Sequence, residues 1–175
     1  DAMCLQETKC EDAQFPAMEL RAAGYCALHN GQRTYNGVAI LSRVDSLEVC
    51  RAIPDFTDDQ SRVLAADYEG VRVISVYVPN GQSVGSDKYQ YKLDWCRSAT
   101  AFVAAELERH PRLVVSGDFN IAPEDRDVHD PALWRVQVMC SEPERAVFRD
   151  WIGLGLKDSF RLFEQPEKSY SWWDY

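Results

Sequence analysis

No apolar run in this 175-residue sequence approaches the roughly 18 residues of a membrane span, so no bilayer-crossing helix is expected. The opening residues Asp1-Ala2-Met3-Cys4-Leu5 lack the basic region and long apolar stretch of a secretory signal. The six cysteines (Cys4, Cys10, Cys26, Cys50, Cys96 and Cys140) include no C-x-x-C pair and no Cys/His group with zinc spacing. They read as buried, reduced thiols, which fits a reducing compartment and a cytoplasmic location; a disulfide framework is the alternative. Histidine is scarce. His29, His110 and His129 have no triad or metal spacing, so Ser/His/Asp hydrolysis has no support beyond the residue types. Basic residues are outnumbered 19 to 28, giving a net charge of −9. That balance disfavours a passive module held to phosphates by charge alone. It leaves room for an enzyme that uses carboxylates to hold a metal and a local basic rim to hold a polyanion. No internal repeat or low-complexity linker divides the chain.

What is present is ordinary for one folded domain: 46% apolar and 27% charged residues. Ala2-Met3-Cys4-Leu5 reads as the end of a buried strand. Residues 16–23 form a short helix with Pro16 near its first turn and Gly24 at its end. A strand over 25–28 leads into a turn-rich loop over 29–37, followed by strands at 38–41, 47–53, 62–68 and 71–78. Glu69-Gly70 marks a hairpin turn, and the strand after it carries apolar groups on both faces, as a central strand does. Residues 87–110 are the longest helical stretch, with a stripe of Leu93, Cys96, Thr100, Val103 and Leu107 widened by Trp95, Ala99 and Phe102. A buried strand, Leu113-Val114-Val115, runs into Gly117-Asp118-Phe119-Asn120. Then come an acidic loop at 122–131, a helix at 142–154 capped by Ser141, and a strand-like aromatic segment at 169–175. Short turns join the early strands and a helix joins later ones, so mixed and antiparallel sheets covered by helices are expected.

Chemistry concentrates where strands end. An extended backbone would send Asp118 and Asn120 to one side and Phe119 to the other. Asp118 can then hold a cation or take a proton from water, with the Asn120 amide beside it and Gly117 permitting close approach. A strand-to-loop turn is the plain alternative for these four residues. Glu7, just past the first strand, is a carboxylate able to bind Mg²⁺ or simply a solvated glutamate. Tyr77 ends the most buried strand and can offer its hydroxyl to a phosphate or pack as a core aromatic. Tyr170-Ser171-Trp172-Trp173-Asp174-Tyr175 can wall a pocket or form a core strand.

Together, Leu5-Gln6-Glu7-Thr8-Lys9, Tyr35-Asn36-Gly37-Val38-Ala39-Ile40, Val76-Tyr77-Val78-Pro79-Asn80-Gly81, Gly117-Asp118-Phe119-Asn120-Ile121-Ala122-Pro123 and Tyr170 to Tyr175 resemble the exonuclease III family of the endonuclease/exonuclease/phosphatase superfamily. They occur in family order along the whole chain. The resemblance implies an α/β fold: a four-layer sandwich of two mixed, mainly antiparallel β-sheets flanked by helices. It implies a monomeric DNA-repair nuclease using Mg²⁺ or Mn²⁺, with 3′-to-5′ exonuclease action on duplex DNA and incision at abasic sites. By carry-over, Glu7 is a metal ligand, Asp118 orients or deprotonates the attacking water, and Asn120 fixes that geometry. Tyr77 sits beside the scissile phosphate, and Trp172 lines the pocket for the abasic sugar. Asn80, Gln82, Arg33 and Lys88 are expected at the substrate, with Lys92 also near the proposed site. The family pattern includes an Asn before the first of these segments, and an Asp and an Asp-His pair after the last. Residues 1–175 are accordingly expected to be a single domain of this type without its first strand and C-terminal strands. Two other readings stand beside the nuclease: a catalytically incomplete remnant that binds DNA or a partner, and a phosphodiesterase or phosphatase of the same fold acting on a small molecule or lipid.

Overall fold

Runs rich in Val, Ile, Leu and Ala become the strands of two sheets. β1 (Ala2–Gln6), β2 (Cys26–Asn30) and β3 (Val38–Ser42) form an antiparallel sheet in the order β1-β3-β2. β4 (Leu47–Cys50), β5 (Val63–Tyr68), β6 (Val71–Tyr77) and β7 (Leu113–Asp118) form a second sheet in that order. Its pairings are antiparallel except β6 with β7, which run parallel. A parallel pair needs a long crossover, and α2 (Asp87–Arg109) supplies it. At the β5–β6 hairpin, Tyr68 pairs with Val71, and Glu69 and Gly70 take φ of 51° and 77°, as a two-residue turn with left-handed residues requires. This two-sheet α/β architecture is the expected one, with the mixed pairing confined to the second sheet.

The computed structural model describes residues 1–171. Their contacts fall into two units, one of residues 1–78 and 105–119, the other of residues 79–104 and those from 120 onward. The first unit holds both sheets. They meet through Val38 and Ile40 of β3, Leu64, Ala66 and Tyr68 of β5, and Val73 of β6, with Cys4, Leu28 and Tyr77 packed around them. Ile40 and Leu64 are fully buried, each contributing about 1.5–3 kcal/mol by removal from water. α1 (Ala17–Ala22) packs on β2. β6 is internal and buried, as expected. β1 and β7 each lie at a sheet edge among the described residues, and Met3 is 59% and Val114 49% exposed.

The second unit comprises most of α2 with α3 (Pro131–Trp134) and α4 (Glu142–Gly153). The acidic loop is ordered rather than loose. Ala122, Val128 and Cys140 bury against Trp134, and Asp130 caps α3 by accepting from the Leu133 amide at 3.1 Å. A four-residue helix is too short to leave a periodic signature in sequence. On α2 the buried residues are Tyr89, Lys92, Trp95, Cys96, Ala99, Phe102, Val103 and Glu106. The expected stripe is therefore rotated, because an apolar count passes over Lys92 and Glu106. Each buried charge has a partner: Glu106 bonds the buried Arg72 of the first unit, and Lys92 pairs with Glu144 of the second at 2.5 Å. All six cysteines are free, but only Cys96 and Cys140 are buried; the other four are half-buried. No helix among the described residues is long and apolar enough to cross a membrane.

Gly117 sets how closely β7 approaches β6. Its φ is 146°, and a Cβ there would stand 1.9 Å from the Val76 carbonyl oxygen. Gly117→Ala is expected to lower stability by about 3 kcal/mol or more. An unchanged urea midpoint would contradict this account of the β6–β7 contact.

Candidate active site

Glu7, Tyr77 and Asp118 lie at the C-terminal ends of β1, β6 and β7, and all three belong to the first unit. The register pairs Tyr77 with Asp118, and the Val78 amide donates to the Asp118 carbonyl at 2.9 Å. At these ends Gln6 Nε2 of β1 donates to Ser75 Oγ of β6 at 3.2 Å, and the Tyr77 hydroxyl donates to Glu7 Oε1 at 2.9 Å. The expected grouping of Glu7, Tyr77 and Asp118 is thus present as neighbouring strand ends.

Glu7 sits in an unusual turn. Both Glu7 and Lys9 take φ of 53°, a left-handed conformation that non-glycine residues rarely adopt. The Thr8 amide donates to the Gly37 carbonyl at 3.3 Å and the Lys9 amide to the Asn36 carbonyl at 3.0 Å, which pins the turn. A Cβ on Gly37 would stand 2.2 Å from Thr8 Oγ1, so only glycine fits. Lys9 Nζ lies 2.7 Å from Glu7 Oε2. That ammonium, and then the Tyr77 hydroxyl, holds the Glu7 carboxyl below the usual carboxylate range, so it is ionised at neutral pH. Burial, then Glu7, pushes the Tyr77 hydroxyl up to about 12, so Tyr77 stays a donor.

Arg62 was not singled out in the sequence. It is buried, its guanidinium lies 4.7 Å from the centre of the Tyr77 ring, and its Nη1 donates to the Tyr77 carbonyl at 3.1 Å. Gln60 Oε1 accepts from the same guanidinium at 2.9 and 2.7 Å. The available signal was an Arg at the start of the strand antiparallel to the one ending in Tyr77. Arg33 is exposed in the loop before β3.

The other candidates belong to the second unit. Asn80 and Gln82 are exposed, and Asn80 Oδ1 accepts from the Gln82 amide at 3.0 Å. Lys88 is exposed on the first turn of α2. Asn120 has a φ of 46°, so the simple alternation of an extended strand does not continue past Asp118. Lys92 is not part of a basic rim. Its side chain is fully buried and its ammonium donates to the carbonyls of Asn80 at 3.1 Å and Asn120 at 2.6 Å while pairing with Glu144. Glu144 also accepts from the amides of Met139 at 2.8 Å and Ser141 at 3.1 Å, within the capping box of α4. Lys92 thus fastens the two loops that carry Asn80 and Asn120. Trp172 lies outside the described residues; Ser169 to Ser171 are not a strand, and Ser171 donates to Asp127 at 2.7 Å.

Glu7 and Asp118 offer the oxygen donors that a hard divalent cation prefers. A different acidic group, Glu48, Asp67 and His110, places possible ligand atoms within 4.8 Å of one another. Its carboxylates are already matched by arginine: Arg72 Nη1 stands 3.4 Å from Asp67, and Arg109 Nη2 stands 3.4 Å from Glu48.

Residues 1–174 match the Endonuclease/Exonuclease/phosphatase family. The chain belongs to this family. Its relatives place it with the exodeoxyribonuclease III-type hydrolases. An exodeoxyribonuclease of Bacillus subtilis is 31% identical over 179 residues, which cover 100% of this chain and 69% of that protein. The structure of a 3′ phosphatase, NExo, from Neisseria bound to product DNA hairpin superposes with a TM-score of 0.97 at 44% identity, over 100% of this chain and 68% of that one. An AP endonuclease from Archaeoglobus fulgidus gives a TM-score of 0.92 at 33% identity, again over 100% and 68%.

Two outcomes are expected from this geometry. In a carbon-13 NMR titration, the Glu7 carboxyl should have a midpoint below those of solvated glutamates. Lys9→Met should raise that midpoint more than Tyr77→Phe. Because the folded value is the lower one, any stability from Glu7 is present above the unfolded carboxylate range and lost as pH falls through the folded midpoint. Lys92→Met should cost about 3 kcal/mol or more in urea unfolding, since it leaves Glu144 buried without its cation.

Proposed function

We propose that this chain carries the catalytic centre of a divalent-metal-dependent DNA-repair nuclease that hydrolyses phosphodiesters, as a 3′-to-5′ exonuclease on duplex DNA and at abasic sites. The observation that carries this reading is the hydrogen bond between Tyr77 and an ionised Glu7, at strand ends where Asp118 lies in register with Tyr77. In such a reaction a water oxygen attacks phosphorus and the bond to one ester oxygen breaks. Asp118 orients that water and takes its proton. Tyr77, kept protonated, turns its single hydroxyl proton from Glu7 to a phosphoryl oxygen when the substrate enters. Glu7 would hold Mg²⁺ or Mn²⁺, its oxygen chemistry being suited to either. When bound, such an ion neutralises charge that builds on the phosphoryl oxygens. Asn120 is proposed to fix substrate geometry, Asn80 and Gln82 to contact the phosphate backbone, and Arg33 and Lys88 to attract it. Trp172 is proposed to line the sugar pocket. The proposal extends to a monomer acting on double-stranded and abasic-site DNA in the cytoplasm, where the six free thiols fit.

A second reading, removal of a 3′ phosphate from DNA, is favoured by the 44% identity to the Neisseria 3′ phosphatase bound to product DNA hairpin. It uses the same attack on phosphorus with the 3′ oxygen as leaving group, on a phosphate that carries no second nucleoside.

Three duplexes distinguish these readings: one with an internal abasic site, one with a recessed 3′ hydroxyl and one with a 3′ phosphate, each with Mg²⁺ or Mn²⁺ added and then removed by chelator. Asp118→Asn should lower the metal-dependent rate on whichever duplex is cut by about 10²–10⁴-fold without changing the thermal midpoint. Unchanged turnover would remove Asp118 from the chemistry. Hydrolysis of a phosphoinositide with no action on any duplex would move the substrate class away from DNA.

A further inference from the structure

His29 is a buried histidine on β2, its side chain 6% exposed, and nothing so far gives it a purpose. The 29–37 stretch looked like a turn-rich loop, but the strand runs through His29 to Asn30 and turns the imidazole inward. Its Nε2 lies 2.9 Å from Thr8 Oγ1, the residue between the two left-handed positions Glu7 and Lys9. Its Nδ1 faces Asp12 Oδ1 at 2.9 Å, a close but poorly aligned contact. Phe15 stacks on the ring at 4.0 Å between centres, and Cys10 Sγ stands 4.0 Å from Nε2.

We propose that His29 is a positioning residue for the Glu7 carboxylate, acting through the Thr8 hydroxyl. The inference rests on the reading of Glu7 as a metal ligand. The carboxylate beside Nδ1 favours a proton on that nitrogen, which leaves Nε2 to accept from the Thr8 hydroxyl. Burial, opposed by Asp12, lowers the affinity of His29 for a second proton, in keeping with that neutral form. Asp12 is itself fixed, because its Oδ1 accepts from the Gly31 amide at 2.7 Å. The fit is tight: a Cβ on Gly31 would stand 2.4 Å from His29 Cε1 and 2.5 Å from the Cys10 carbonyl oxygen.

Left-handed non-glycine residues persist only where their surroundings over-determine them, and they gather where a group must be aimed. The 7–9 turn has backbone support on one side, from Asn36 and Gly37. His29 supplies side-chain support at its middle residue. Thr8 thereby carries a constraint from β2 into the segment that aims Glu7 at Tyr77. A histidine serving only to fill the core would not need to bond the hydroxyl of this turn.

The test is binding of Mn²⁺ alone, followed by loss of the free-ion electron paramagnetic resonance signal, with the thermal midpoint measured on each sample. Wild type, Glu7→Gln, His29→Ala, Thr8→Val and Thr8→Ser are compared. Glu7→Gln should bind markedly more weakly. Thr8→Val should lose on the order of tenfold in affinity, the scale seen when groups that orient a ligand are removed. Thr8→Ser, which keeps the hydroxyl, should restore it. His29→Ala should match Thr8→Val; if His29→Ala does not fold, the Thr8 pair decides. Wild-type affinity in Thr8→Val alongside weakened Glu7→Gln overturns the role of His29 and leaves Glu7 standing. So does a loss in Thr8→Val that Thr8→Ser fails to repair. Undiminished binding in Glu7→Gln, or no binding by wild type, removes the assignment of Glu7 and the inference with it.

Discussion

The hydrogen bond from Tyr77 to Glu7 is the constraint around which the first unit is arranged. Its donor ends a strand of one sheet and its acceptor follows a strand of the other. For the two to meet, the sheets must pack with those ends aligned, which the contacts among Ile40, Leu64 and Val73 enforce. Glu7 must also leave β1 in a conformation that a carboxylate-bearing residue ordinarily avoids. The backbone of Asn36 and Gly37 offsets that cost on one side. The result is an anionic group kept ionised at a partly exposed position, next to a phenol kept protonated. The pair sets an acceptor and a donor side by side.

The second unit solves a different problem. Asn80 and Asn120 lie in loops far apart in sequence, and loops are mobile unless something holds their backbones. Here an ammonium with no solvent exposure accepts that task, matched by the carboxylate of Glu144. Burying two charges is expensive, and an apolar pair of the same volume would often be as stable. Only a cation, however, can satisfy two carbonyl groups and a carboxylate at once. The arrangement favours definite loop geometry over maximal stability.

Much of this was legible. The strand order up to β6, the Glu69-Gly70 hairpin, α2 and the Ser141 cap follow from local pattern and turn chemistry. Glu7, Tyr77 and Asp118 could be named because each follows an apolar strand within a distinctive segment. What pattern could not supply were the long-range partners. Arg62 sits 15 positions before Tyr77, and its role depends on strand register. Lys92 looked like a surface charge because a lysine on a helix usually is one; its burial depends on a glutamate 52 positions away in the sequence. His29 looked like loop because Asn-Gly follows it.

Arg62 over the Tyr77 ring carries one more consequence. An aromatic side chain near nucleic acid is commonly pictured as a platform for a base. On this ring, one face is already shaded by a guanidinium that its own backbone and Gln60 hold in place. A base arriving from that direction finds no free π surface. Stacking on that face of Tyr77 is therefore closed, while its hydroxyl is turned toward Glu7.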